Sequence, residues 1–150
     1  MLAPDNSSVR ARQGARDMLV KALYQWQLGG HDLSQLEEQF MVTPENTRAD
    51  LSYFKDLLST VISDVDKFDK LIAMHAGREV ATVDAIGRAI LLLGFAEFES
   101  RCDVPVKVVI NEAVELAKRY GSPDCYRFVN AVLDKAAKAM PPQRQCDTRG

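Results

Sequence analysis

The sequence predicts an all-α protein with six or seven helices around one core, and three observations favour this fold class. Apolar residues between Leu51 and Ile72 recur at alternating steps of three and four, which is the period of one helix face. The segment Ala89–Phe98 is apolar on nearly every side, as expected of a helix at the centre of a bundle. No segment shows the two-residue alternation and flanking turn residues that are typical of strands.

The first part of the chain predicts one long helix followed by a short one. The long helix runs from about Val9 to Leu28 and ends at a pair of glycines, Gly29-Gly30. Asp32 then caps the short helix, because Gln35 three residues later completes a variant of the capping box.

The middle of the chain predicts a long amphipathic stretch and then the central helix. The amphipathic pattern begins near Thr47, has a break near Ser63-Asp64 and ends at His75-Ala76-Gly77. Thr82 is the expected cap of the central helix, which continues to about Arg101.

Two further helices follow, with a sharp stop between them. Pro105 suits a first helical position, where its missing N–H costs nothing. Gly121 stands where a left-handed residue commonly ends a helix. The tripeptide Ser122-Pro123-Asp124 then supplies an N-cap, a first-turn proline and an acid near the positive helix end.

Length and composition indicate one domain, residues 9–140, between disordered tails at 1–8 and 141–150. No apolar run is long enough to span a bilayer, and the first residues do not resemble a secretory signal. Three cysteines without CxxC spacing, Cys102, Cys125 and Cys146, favour free thiols and a cytoplasmic protein.

The charge is unevenly distributed along the chain. Residues 1–21 hold four basic and two acidic side chains, whereas residues 32–69 hold nine acidic and three basic ones. A net charge of −2 excludes a general binder of polyanions, so any nucleic-acid contact must be local.

The residues of an enzyme are not recognisable in this sequence. His31 and His75 lie far from any cysteine pair, and no phosphate-binding or nucleophile motif is present. Glu97, within the most apolar helix, is either a perturbed acid or, more simply, half of a buried ion pair. We therefore expect no catalysis, no metal and no cofactor.

Some residues of the first helix and of the late turn suit contact with unpaired RNA, which needs cations for phosphates and flat rings for bases. Arg12, Arg16 and Tyr24 are expected on one broad side of the first helix, away from its apolar stripe. Arg127 and Phe128, with Tyr120, flank the Gly121 turn. For Tyr24, Tyr120 and Phe128 the alternative is ordinary packing at the edge of the core.

Four blocks of sequence, in order over roughly residues 10–138, carry a family resemblance. The last block begins at Asp103 and comprises DVPVKVVINEAVELAKRYG and the following FVNAVLDKAA, and the three blocks that precede it are ALYQWQL, EEQF and YFKDLL. Together these blocks closely resemble the NusB family of bacterial transcription antitermination factors.

The resemblance implies an all-α fold of two packed small helical bundles, at roughly residues 9–77 and 78–140. It also implies binding of boxA, a short single-stranded element of nascent RNA, together with the small ribosomal-subunit protein NusE. Such a heterodimer joins other Nus factors on RNA polymerase and promotes antitermination, notably in ribosomal RNA operons. Some members of the family form homodimers that hide the RNA face, so the resemblance leaves a homodimer open as well.

Carried over by position, the resemblance implies a set of RNA-binding residues in this chain. The arginines of the first helix would contact the RNA backbone, Tyr24 would contact RNA directly, and Asp124 would border the surface, so that losing its charge favours RNA. The implied set is Arg10, Arg12, Arg16, Tyr24, Tyr120, Asp124, Arg127 and Phe128.

Departures from the family pattern leave alternatives open. The three arginines between residues 10 and 16 are diluted by Gln13 and Gly14 where relatives often have consecutive arginines, and His75 replaces a tyrosine of some relatives. A protein-only adaptor with weakened RNA binding is therefore the second hypothesis. A relative of the NusB-like domain fused to RNA cytosine methyltransferases ranks last, because no methyltransferase motif follows. The acidic middle of the chain, Asp32–Asp69, is the surface whose charge would complement basic NusE, and the alternative is an ordinary solvated acidic face.

Overall fold

The computed structural model describes residues 6–43 and 48–140, which contain seven α-helices, one short 3₁₀ helix at Val80–Thr82 and no strand. The predicted all-α class is confirmed. The helices are α1 (Asn6–Gly29), α2 (Leu33–Met41), α3 (Leu51–Ser63), α4 (Val65–Ala76), α5 (Ala85–Ser100), α6 (Val106–Tyr120) and α7 (Cys125–Ala139).

The central position predicted for α5 is confirmed. Every residue from Ala89 to Phe98 is buried, including Gly94 and Glu97. The helix packs against α1, α3, α4, α6 and α7. Gly94 allows α7 to approach α5 closely, because an added Cβ would lie 3.1 Å from two methyl carbons of Leu133 on α7. The other helices are therefore arranged around α5, and their outward faces form the surface.

Helix α1 begins at Asn6, so the prediction of a disordered tail over residues 1–8 is wrong for the last three of them. Adding residues to the end of an existing helix is cheap once its buried turns have nucleated it, so no apolar pattern is needed there. Gly30, with φ of 69°, follows the helix at the predicted place. The tail predicted at 141–150, Cys146 and the predicted start of the amphipathic stretch near Thr47 lie outside the described residues.

The capping box of α2 and the break in the long amphipathic stretch are both confirmed. The amide of Gln35 donates to Asp32 Oδ1 and the amide of Asp32 donates to Gln35 Oε1, each at 2.9 Å. Asp64 separates α3 from α4, and Gly77 ends α4 in the left-handed conformation, with φ of 68°.

The predicted cap of the central helix is wrong by two residues. Asp84, not Thr82, caps α5, and its side chain accepts from the amide of Gly87 at 3.2 Å. Thr82 lies in the 3₁₀ helix, where its hydroxyl donates to the carbonyl of Glu79 at 2.6 Å. A threonine hydroxyl can form a local hydrogen bond in a turn as well as at a helix cap, so the residue type alone did not determine which residue caps α5.

The turn between α6 and α7 differs from the prediction. Gly121 has φ of −90°, so it is extended and not left-handed. Glycine is needed for space instead, because a Cβ there would lie 2.6 Å from both Cβ and Sγ of Cys125. Helix α7 begins at Cys125 with Asp124 in the cap position and no side-chain cap, so the predicted Ser122 cap is wrong. Pro105 precedes α6 at its N-cap position, one residue earlier than predicted.

The predicted subdomains, the cysteines and the absence of a membrane-spanning helix among the described residues complete the description of the fold. The division into subdomains at residues 9–77 and 78–140 stays a prediction, and the packing of α4 against α7 crosses it. Cys125 is a buried free thiol, whereas Cys102 is disulfide-bonded, so the prediction of a free thiol is wrong at Cys102. None of the described helices is both long and apolar enough to span a membrane.

Candidate nucleic-acid interface

Arg16 is in the core and not on the predicted surface of α1. Its residue exposure is 4%, and its guanidinium donates to both carboxylate oxygens of Glu97 at 2.9 to 3.2 Å. The hydroxyl of Tyr53 also donates to Glu97, and Arg16 donates in turn to that hydroxyl at 3.4 Å. The arrangement of Arg12, Arg16 and Tyr24 on one exposed side of α1 is therefore wrong at Arg16.

The interpretation of Glu97 as half of a buried ion pair is confirmed. Burial raises the pKa of Tyr53, and the charge of Glu97 and its hydrogen bond raise it further, so this phenol stays protonated and keeps donating. Burial by itself would lower the pKa of Arg16, but Glu97 more than offsets it and the guanidinium stays charged. The network joins α1, α3 and α5 and leaves Arg16 no free donor surface for RNA.

The other two predicted arginines of α1 remain accessible. Arg10 is exposed. Arg12 keeps 31% of its side chain exposed and lies over the ring of Tyr53, 4.5 Å from its centroid. It forms a 2.9 Å ion pair with Asp103 and a longer one, 3.8 Å, with Asp50. Arg12 is therefore available at the surface but held by carboxylates of its own chain.

Tyr24 and Tyr120 line one open cleft, which the helical pattern alone did not place together. The cleft has a volume of about 490 Å³ and lies along α1, with α2, α5 and α6 contributing to its walls. Tyr24 is 39% exposed. The ammonium group of Lys21 lies 5.9 Å from the centroid of the Tyr120 ring. The lining residues are Val20, Lys21, Tyr24, Gln25, Leu28, Gly29, Phe40, Ile86 and Tyr120.

Tyr120 is anchored at its hydroxyl and open along its ring. The hydroxyl donates to Asp17 at 3.0 Å, and Arg119 forms an ion pair with the same carboxylate. The ring packs partly against the core while it lines the cleft. Tyr120 therefore packs at the edge of the core, and part of its ring is also accessible from the cleft.

Asp124, Arg127 and Phe128 form a second group, at the start of α7. Asp124 and Arg127 are exposed, and Phe128 is half-buried and packs against the core. The guanidinium of Arg78, from the loop after α4, lies 4.7 Å from the centroid of the Phe128 ring. Phe128 therefore combines a core contact with a cation on its ring.

Lys21 and Arg78 were missed by sequence reasoning, for different reasons. Lys21 lies three residues before Tyr24 on the same helix, so helical spacing could have placed it on the same side of α1 as Tyr24. Arg78 and Phe128 are fifty positions apart and meet only because α4 packs against α7.

The remaining features of the described residues concern metal ligands and the surroundings of His75. No group of three or more His, Cys, Asp or Glu side chains that could hold a metal ion occurs among them. His75 stacks on Phe95 with their ring centroids 6.2 Å apart. Burial and the charge of Lys135 both lower the pKa of His75, so its imidazole favours the neutral form.

These features define a class of protein: an all-helical domain with aromatic rings and cations exposed on the flanks of α1, α6 and α7. Comparison with known proteins makes the class specific, since the sequence model of the NusB family matches residues 13–138. The chain belongs to the NusB family.

Similar proteins support this assignment along nearly the whole chain. The transcription antitermination protein NusB of Sodalis glossinidius is 39% identical over 135 residues, which are 90% of this chain and 97% of the relative. The protein of the same name from Pectobacterium carotovorum is 43% identical over 130 residues, 87% of this chain and 94% of the relative.

Solved structures agree with the fold. The structure of NusB from T. maritima matches with a TM-score of 0.75 and 26% identity, covering 92% of this chain and 93% of that one. A crystal structure of the antitermination factors NusB and NusE in complex with dsRNA matches with a TM-score of 0.73 and 29% identity, covering 87% and 98%.

Proposed function

We propose that this chain is a non-catalytic, cytoplasmic antitermination factor that binds single-stranded boxA RNA together with NusE. In this role it joins other Nus factors on RNA polymerase, notably at ribosomal RNA operons. The observation that carries the proposal is the cleft that Tyr24 and Tyr120 line together, with the Lys21 ammonium group 5.9 Å from the centroid of the Tyr120 ring.

The chemistry of this cleft suits an unstacked nucleotide. Rings can stack on bases of any sequence, and an adjacent ammonium group can pair with the phosphate that follows. Leu28, Phe40 and Ile86 form apolar parts of the wall, which favour a flat base over a solvated charged group. Arg10 and Arg12 extend the cationic surface toward the start of α1.

The second group, Arg127 and Phe128 with Asp124, is proposed as an extension of the same RNA-contacting face. Arg127 is exposed and offers a donor to phosphate, while the half-buried Phe128 offers part of its ring. Arg16 is not included in the proposed site, since its guanidinium is committed to Glu97 in the core.

Two observations support NusE as the protein partner. A structurally similar NusB has been crystallised with NusE and dsRNA. In addition, residues 32–69 hold nine acidic and three basic side chains, and the exposed acids among them, including Asp32 and Asp66, would complement a basic ribosomal protein.

Tyr24→Ala is the direct test of the cleft. Loss of one stacking ring should weaken binding of fluorescein-labelled boxA RNA roughly 5- to 150-fold, because a stacked base contributes about 1–3 kcal/mol. Anisotropy titrations with and without NusE, at two salt concentrations, measure this effect. Met74→Ala is the matched control, since Met74 is also exposed on a helix but outside the cleft. Equal affinities of both variants, or a lowered melting temperature of Tyr24→Ala alone, would assign Tyr24 to packing.

The same titration distinguishes the second candidate, a protein-only adaptor. The burial of Arg16 favours this alternative, because it removes one of three already diluted arginines from the surface. Capture of NusE with no RNA binding in any condition would leave the adaptor as the function of this chain.

Asp124→Asn should strengthen RNA binding. Asp124 is exposed beside the proposed contact residue Arg127, and a carboxylate there repels phosphate. We expect a gain of roughly two- to fivefold, the size of one exposed charge interaction. Asp134→Asn on the same helix, where the carboxylate pairs with Lys138 at 3.1 Å, is the control. Unchanged or weaker binding of Asp124→Asn would remove Asp124 from the RNA surface.

A further inference from the structure

Two arginines from distant parts of the chain converge on a single carboxylate oxygen. Arg12 on α1 donates to Asp103 Oδ2 at 2.9 Å, and Arg101 at the end of α5 donates to the same oxygen at 3.2 Å. Guanidinium groups that converge in this way form the usual arrangement for recognising a phosphate oxygen.

The ring of Tyr53 supports both guanidiniums. Arg12 lies 4.5 Å and Arg101 4.6 Å from the centroid of this ring. The ring itself is fixed, because its hydroxyl donates to the buried Glu97. The two arginines are therefore prearranged on a rigid platform, which lowers the entropy that binding an anion would cost.

The pair is accessible from solvent and has open space beside it. The exposed fractions of the side chains are 31% for Arg12, 24% for Arg101 and 51% for Asp103. A cleft of about 350 Å³ opens next to Arg12 and is lined also by Ser8, Val9, Ala11 and Asp50. An anion could therefore approach Arg12 without any rearrangement of the core.

We propose that Arg12 and Arg101 form a phosphodiester-binding site that Asp103 occupies in the absence of RNA. Asp103 acts as an intramolecular competitor, and a backbone phosphate of the bound RNA takes its place. This inference rests on the proposed RNA-binding function and extends the RNA path from α1 to the end of α5.

The charges of the group explain why exchange is feasible. Asp103 and a phosphodiester each carry one negative charge, so the arginines keep the same charge balance in both states. Burial would raise the pKa of Asp103, but the hydrogen bond from Arg12 and the charges of Arg101 and Arg12 lower it below its ordinary value. Asp103 is thus a charged competitor at neutral pH, and it moves into water when displaced.

Asp103→Asn tests the competition. The variant keeps the size of the side chain but removes its charge, so the full chain should bind boxA RNA roughly two- to fivefold more tightly. Asp134→Asn, which neutralises an exposed carboxylate paired with Lys138, should leave the affinity unchanged. Weaker or unchanged binding by Asp103→Asn would overturn the proposal, because Asp103 would then only order Arg12.

Combining substitutions tests whether the gain acts through the arginines. The gain from Asp103→Asn should disappear when Arg12→Ala is present, which a double-mutant cycle measures. Arg101→Gln should weaken binding of boxA and scrambled single-stranded RNA alike and reduce the salt slope by about 0.7. Lys138→Gln is the matched control for loss of one exposed cation.

The failure of this site and the failure of RNA binding are distinguishable. If the unaltered chain binds no RNA with or without NusE, the proposed function fails. If the unaltered chain binds and Asp103→Asn does not tighten the binding, only the phosphate site fails. Thermal unfolding of each variant, followed by circular dichroism, identifies any loss of affinity that comes from loss of the fold.

Discussion

At the scale of single residues, three arginines of one helix have three different environments. Arg10 is exposed, Arg12 is held at the surface by Asp103 and Asp50, and Arg16 is buried against Glu97. Residues four apart on a helix lie on similar sides, so spacing alone grouped Arg12 with Arg16. The difference arises because Glu97 and Tyr53, on two other helices, meet at Arg16.

Glu97→Gln should lower the free energy of unfolding by about 3–5 kcal/mol, because it leaves the buried charge of Arg16 uncompensated. Chemical denaturation measures this change. Glu99→Gln, two residues along α5, is the control, since Glu99 pairs with Lys67 at a side-chain exposure of 35%. We expect the control to lose no more than about 1 kcal/mol. Similar decreases in the free energy of unfolding in the two variants would show that the buried ion pair contributes no more to stability than the exposed one.

At the scale of elements, two helix ends use glycine for opposite physical reasons. Gly77 ends α4 with φ of 68°, and nothing lies within 4 Å of where its Cβ would be. Gly121 ends α6 with an ordinary φ of −90° but has no space for a Cβ beside Cys125. The first position needs a permissive backbone, and the second needs a missing side chain.

Alanine and asparagine at these two positions should therefore behave differently. At Gly77, alanine should destabilise by about 1–2 kcal/mol and asparagine by less, since asparagine tolerates the left-handed region. At Gly121, alanine should cost about 1–3 kcal/mol through overpacking, and the larger asparagine should cost more. The melting temperatures of the four variants show, at each position, whether alanine or asparagine is the more destabilising. The same order at both sites would contradict the assignment.

At the scale of the whole molecule, α5 connects nearly all the other helices. It packs against α1, α3, α4, α6 and α7. The candidate RNA surfaces also depend on it, because Ile86 lines the aromatic cleft and Arg101 follows the last turn. The shared core implies that neither half of the chain keeps its site when the other unfolds.

We expect thermal unfolding to occur as one cooperative transition. Trp26, the single tryptophan, lies on α1 with the guanidinium of Arg88 from α5 5.6 Å from its ring. Its fluorescence should therefore change at the same temperature as the far-ultraviolet circular dichroism, which reports all the helices. Two separate transitions would instead support independent subdomains at residues 9–77 and 78–140.

Local pattern in the sequence determined the helix class, a count of six or seven helices, the break at Asp64 and the buried centre at Ala89–Phe98. These properties follow from hydrophobic period and from short-range capping such as the Asp32–Gln35 box, which act within a few residues. The motif blocks also led to the family, although not to the geometry of its surface.

Only the tertiary structure decided which polar residues of those helices remain available. Four features of the surface and core depend on contacts between distant segments of the chain. They are the burial of Arg16, the contact of Arg78 with Phe128, the cleft shared by Tyr24 and Tyr120, and the convergence of Arg12 and Arg101 on Asp103. Such contacts depend on how whole helices cross around α5, and a helical period specifies a face without specifying the neighbour that covers it.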